Sequence, residues 1–105
     1  MSNRILIVEE SPSASGTLLA KNGFQVTTAR PSEAVARAFE TGPELILFPN
    51  PGGSAAVADT LGAVHDVPML FLGATRAQVR PRARRQIAPA GQPLLNAVRG
   101  ALLSR

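Results

Sequence analysis

Cysteine is absent from this chain, and so are tryptophan and tyrosine. The first absence excludes disulfides, thiolate zinc sites and cysteine nucleophiles, and nothing then points to an oxidising compartment. The four aromatic residues are all Phe, so stacking platforms are scarce and the core must be aliphatic, built from Leu, Ile, Val and Ala. No apolar run approaches the roughly 18 residues that a membrane span needs. The N-terminus also lacks a basic region followed by a long apolar stretch. A soluble, cytoplasmic protein with no membrane span is the expectation.

What the chain does contain is a short apolar core sequence in regular pieces. Its 105 residues, 45% of them apolar, suit one domain spanning 1–105. The net charge of +4 is uneven. Residues 1–50 carry four basic and five acidic groups, whereas residues 51–105 carry seven basic groups against Asp59 and Asp66. The positive field therefore belongs to the second half. Arginine outnumbers lysine ten to one, and Ala, Gly and Pro are frequent, which reads first as a GC-rich genome and only secondarily as selection for anion binding.

Four β-branched or aliphatic runs, Ile5 to Val8, Phe24 to Thr28, Leu45 to Phe48 and Met69 to Leu72, alternate with amphipathic stretches. That alternation marks βαβ units and a parallel sheet. Fully apolar runs bounded by turn formers read as strands buried on both faces. Ser11-Pro12 opens a first helix that Gly23 closes. Pro31-Ser32-Glu33 starts a second, with Ala34, Val35, Ala38 and Phe39 as its apolar stripe and Gly42-Pro43 as its stop. Ser54 caps a third running to about His65, with Val57, Leu61 and Val64 inward. Pro93 opens a last one, Leu94 to Leu103, with Leu95, Val98 and Leu102 inward.

The segment Arg76 to Gln92 fits this scheme least well. It contains Pro81, Pro89 and Gly91, and its only strand-like fragment is Gln86-Ile87-Ala88. A weak fifth strand and a short or irregular fourth helix, broken at Pro81, are expected there.

The two most telling pieces are Arg4-Ile5-Leu6-Ile7-Val8-Glu9-Glu10-Ser11-Pro12 and Pro43-Glu44-Leu45-Ile46-Leu47-Phe48-Pro49. With Gly23-Phe24-Gln25-Val26 and Pro68-Met69-Leu70-Phe71-Leu72 added in that order, the chain resembles the receiver domain of two-component response regulators over nearly its whole length. The resemblance implies a doubly wound, five-stranded parallel sheet of order 2-1-3-4-5 with helices on both faces. It also implies a pocket in which a partner kinase's phosphoryl group passes to an aspartate ending the third strand, with Mg²⁺ held by that aspartate and an acidic pair.

Residue by residue, that pocket is dismantled. The acidic pair falls on Glu9 and Glu10, the second standing where Asp is usual. The phosphoacceptor position falls on Pro49, the switch Ser/Thr position on Gly73, and the lysine position on Pro89 or its neighbour Ala90. Without a carboxylate at 49 there is no nucleophile for an acyl phosphate and one fewer oxygen ligand for Mg²⁺. Proline at 89 offers neither charge nor donor to phosphoryl oxygens. The stretches from Pro49 to Gly73 and from Gly73 to Pro89 are also shorter than a typical receiver's. The expectation is a degenerate member, a pseudo-receiver, with no catalytic residue, no resident metal and no cofactor.

Other features carry competing readings. The Glu9-Glu10 pair suits a divalent cation or is a residual solvated pair. Pro49-Asn50-Pro51-Gly52-Gly53-Ser54 is either an anion-holding turn or a stiff connection, and no Gly-Lys-Ser/Thr follows to make it a P-loop. Arg76, Arg80, Arg82, Arg84 and Arg85 make the strongest charge feature; in a helix, Arg76, Arg80 and Arg84 would share one face, and with Arg85 and Arg99 they form the candidate partner-binding set. A protein partner is the leading expectation. Nucleic acid is less favoured, since aromatic platforms and a helix-turn-helix are lacking. A small molecule in the vacated pocket is a third reading. His65, beside Asp66 at a helix end, reads as a structural cap. The oligomeric state stays open, a dimer included.

Overall fold

The computed structural model describes residues 3–11, 14–49, 55–73, 85–88 and 93–103. Within them lie five strands, β1 (Arg4–Val8), β2 (Gln25–Ala29), β3 (Leu45–Phe48), β4 (Met69–Leu72) and β5 (Arg85–Ala88). Four α-helices accompany them, α1 (Ala14–Lys21), α2 (Ala34–Thr41), α3 (Ala55–Val64) and α4 (Leu94–Leu103). All strand pairs are parallel and the order is β2-β1-β3-β4-β5. This is the doubly wound, flavodoxin-like arrangement expected from the sequence. The expected short fourth helix falls on residues outside those described, as do Pro12 and Ser54 at the starts of α1 and α3.

The apolar runs form strands because both of their faces find cover. Along β1, Leu6 and Val8 join one core cluster while Ile5 and Ile7 join the other. β3 divides the same way, Ile46 and Phe48 against Leu45 and Leu47, as does β4 with Met69 and Phe71 against Leu70. Period-two alternation thus splits each continuous run between two layers. The first layer is closed by Ala34 and Ala38 of α2 and Ala58 and Leu61 of α3. The second is closed by Leu19 of α1 and Ala97, Val98 and Ala101 of α4. Strands supply the bulk, and alanines on α2 and α4 let the helix backbones approach.

Two inward assignments from sequence are corrected. Phe39 is 64% exposed and Val64 49% exposed, while Ala58 is fully buried. α2 and α3 each seat on the sheet through residues one turn apart, Ala34 with Ala38 and Ala58 with Leu61, which rotates Phe39 and Val64 to the flank. Phe39 instead meets the His65 ring, with centroids 4.9 Å apart and planes at 56°. The His65 backbone N–H closes α3 by donating to the Leu61 carbonyl at 2.8 Å. Its buried Nε2 has no hydrogen-bonding partner among the described residues. Leu95 and Leu102 are partly buried, whereas Val98 is fully buried.

Helix ends follow local chemistry. Gly42 ends α2 in the left-handed region at φ 57°, its N–H donating to the Ala38 carbonyl at 3.0 Å. Gly23 turns the chain from α1 into β2 at φ 90°, a conformation that only glycine adopts without strain. No helix among the described residues is long and apolar enough to cross a membrane.

The Phe48 and Phe71 rings stack at 4.6 Å and 6° between β3 and β4, both fully or almost fully buried. Phe48→Ala is expected to cost about 3–5 kcal/mol through lost burial and a residual cavity. The check is a lowered urea midpoint with an unchanged denaturant slope.

Candidate functional site at the carboxyl edge of the sheet

In open parallel sheets, ligands meet the carboxyl ends of strands where the strand order reverses, here between β1 and β3. Glu9 follows β1, Pro49 follows β3 and Gly73 follows β4. Extending the register Ile7↔Leu47 by two residues sets Glu9 level with Pro49. The register Phe48↔Phe71 sets Pro49 level with Leu72, with Gly73 one residue beyond. The structure therefore brings Glu9, Pro49 and Gly73 to one edge, with Glu10 beside them.

Their environments differ. The Glu9 N–H prolongs the β1–β2 ladder by donating to the Ala29 carbonyl at 3.0 Å, and the residue is buried, 4% exposed. Glu10 lies past the ladder and is exposed, and Pro49 is half-buried. Gly73 holds φ 65° and is tied to β5 by its N–H donating to the Ala88 carbonyl at 2.8 Å. A Cβ at Gly73 would meet nothing within 4 Å among the described residues.

The chemistry at this edge is limited by β3. Pro49 contributes a carbonyl and no donor, carboxylate or hydroxyl, so a group seated between β1 and β4 would meet acid from β1 alone. Among the described residues no three carboxylate or imidazole groups gather as a metal site. Pro89 follows directly on β5 but lies outside the described residues, as do Ala90, Arg76, Arg80, Arg82 and Arg84.

The arginines that are described do not form one surface. Arg99 is exposed on α4. Arg85 leaves the exposed set: its guanidinium Nη2 donates to the Asp59 carboxylate at 2.7 Å, and its side chain is 4% exposed against 24% for Asp59. β5 pairs Arg85 with Met69, which belongs to the α2–α3 layer. The Arg85 side chain therefore enters beside α3, on the face opposite α4. The sequence holds one faint signal for this pair, a lone Asp59 within the otherwise uncharged Ala55–Val64 helix. Its partner lies 26 residues away on another strand.

No protein-family model matches the chain, and no curated protein matches it.

A nearly buried guanidinium stripped of its carboxylate is costly, whereas replacing both partners with apolar groups is close to neutral. Asp59→Ala is expected to lower stability by about 3 kcal/mol, and the double variant Asp59→Leu/Arg85→Met to recover most of that loss. Denaturant unfolding of the two variants beside the wild type checks it.

Proposed function

We propose that this chain is a receiver-like domain that accepts no phosphoryl group and works as a protein-interaction module in bacterial signalling or in the control of cell polarity or motility. The observation that carries this reading is Pro49 at the end of β3, level with buried Glu9 across the switch point of a 2-1-3-4-5 sheet. Phosphoryl transfer to a protein carboxyl forms a bond between a carboxylate oxygen and phosphorus. Proline supplies no such oxygen, and the hydroxyl-less Gly73 and Pro89 leave nothing to sense or neutralise the incoming charge. What remains of the receiver plan is the scaffold, and a scaffold without its chemistry retains its surfaces.

In this reading the domain is not an enzyme, and it sits in the cytoplasm, where a cysteine-free chain meets no pressure to form disulfides. The partner surface is drawn from Arg76, Arg80 and Arg84 together with exposed Arg99. Arg85, engaged by Asp59, contributes to the fold instead. The arginine-rich segment also supports a second reading, polyanion binding, which would be steeply salt-dependent.

Two measurements test the proposal. After incubation with acetyl phosphate and Mg²⁺, the intact mass is expected to stay unchanged; an added phosphoryl mass overturns the reading. At about 150 mM salt, labelled DNA and RNA are expected to bind weakly and without sequence preference. Tight binding that disappears when Arg80, Arg82 and Arg84 are replaced by Ala would assign the function to nucleic acid.

A further inference from the structure

An open sheet leaves two edges, and edge strands expose backbone donors and acceptors unless something blunts them. Among the described residues the edge at β2 is unguarded. Its sequence Gln25-Val26-Thr27-Thr28-Ala29 has no charge and no proline, and it pairs with β1 through five consecutive partners with no bulge. The Gln25 N–H donates to the Asn3 carbonyl at 2.9 Å and the Ala29 carbonyl accepts from Glu9 at 3.0 Å. Gln25, Thr27 and Ala29 thus turn their backbone groups toward β1. By alternation, Val26 and Thr28 turn theirs outward. Among the described residues no hydrogen bond reaches those outward groups.

Beside this edge, at the amino end of the sheet, lies a half-open cleft of about 260 Å³ lined by Arg4, Ile5, Gln25, Val26, Thr27 and Thr41. Arg4 is exposed, and its Nε is fixed by the Gly42 carbonyl at 2.9 Å. No hydrogen bond engages its Nη groups among the described residues. Glu44 is the acid next to Arg4, and its two oxygens already accept from the Arg4 backbone N–H at 3.2 Å and from Asn3 Nδ2 at 3.3 Å. Exposed Lys21 and Arg30 flank the two ends of β2, and Arg37 on α2 is paired with Glu40 at 3.2 Å. The cleft therefore combines a positioned guanidinium with hydroxyl and amide groups, beside a row of open main-chain groups.

We propose that the β2 edge accepts an extended acidic segment of a partner protein as a sixth strand. Val26 and Thr28 supply main-chain hydrogen bonds, and a carboxylate of the incoming strand enters the cleft against Arg4. Main-chain pairing gives affinity in such strand addition and side-chain pockets give specificity. A second copy of this chain fits less well. Two β2 strands paired about a two-fold axis would carry Arg30 of each copy toward the Lys21 end of the other, and like charges facing across a strand pair are destabilising. This surface lies at the opposite end of the sheet from Pro49 and does not depend on the receiver-like reading.

The test uses a blocked peptide of alternating Glu and Val, about eight residues long so as to span a strand, with a Gln-for-Glu twin. At saturating peptide, hydrogen exchange of the Val26 and Thr28 amides is expected to slow about tenfold or more. Arg4→Gln and the Gln twin should each weaken binding about tenfold, as loss of a charge-assisted contact would. Thr28→Pro removes an outward donor and leaves the β1–β2 ladder intact, so it should abolish protection while keeping a dispersed amide spectrum. If Thr28→Pro unfolds, Arg4→Gln and the twin still decide the matter. The proposal is overturned if millimolar peptide protects neither amide, if the twin binds equally, or if Val26 and Thr28 become protected in the free protein as its concentration rises.

Discussion

The structure depends on burying β1, β3 and β4 on both faces at once. Apart from exposed Arg4 and partly buried Leu72, their residues are almost wholly removed from water, and a parallel strand in that position can satisfy its backbone only through neighbours on either side. Each parallel pair needs a crossover, and each crossover must lay a helix on the sheet. The two core layers, α2 with α3 on one side and α1 with α4 on the other, follow from that requirement. So does the meeting of three strand ends at one edge.

That constraint gives the residue after each strand its chemical weight. Glu9 and Pro49 are level and Gly73 lies one residue beyond, each at a position fixed by strand register, so a side chain lost from any of them is not readily replaced by a neighbour. A carboxylate at the end of β3 would face Glu9 across the switch point, and Pro49 puts an inert ring there. The same rigidity leaves the two outer strands with different characters. β5 is short and anchored from the side by the Arg85–Asp59 pair, whereas β2 presents an uninterrupted and uncharged edge.

Strand positions were legible because continuous aliphatic runs bounded by Gly and Pro have few alternatives, and Leu45–Phe48 and Met69–Leu72 match the structure to the residue. The placement of Glu9, Pro49 and Gly73 at one edge was legible too, since it follows from strand ends and order. Helix faces were less so. In eight- and ten-residue helices a small rotation separates an inward side chain from a flanking one, and Phe39 and Val64 fell on the wrong side of it. Arg85 was misread for a different reason. A charge among other charges looks solvated in sequence, and only the pairing of β5 with β4 carries it against Asp59.

By itself the sequence determined the class of fold, the aliphatic nature of the core and the presence of a proline, not an acid, directly after the third strand. These depend on residue type and on periods of a few positions along the chain. The tertiary structure alone decided that Arg85 is neutralised inside, that Phe39 stands exposed against His65, and that an open edge lies beside the Arg4 cleft. Each of those depends on groups brought together from distant parts of the chain, and that proximity is set by how whole helices and strands pack.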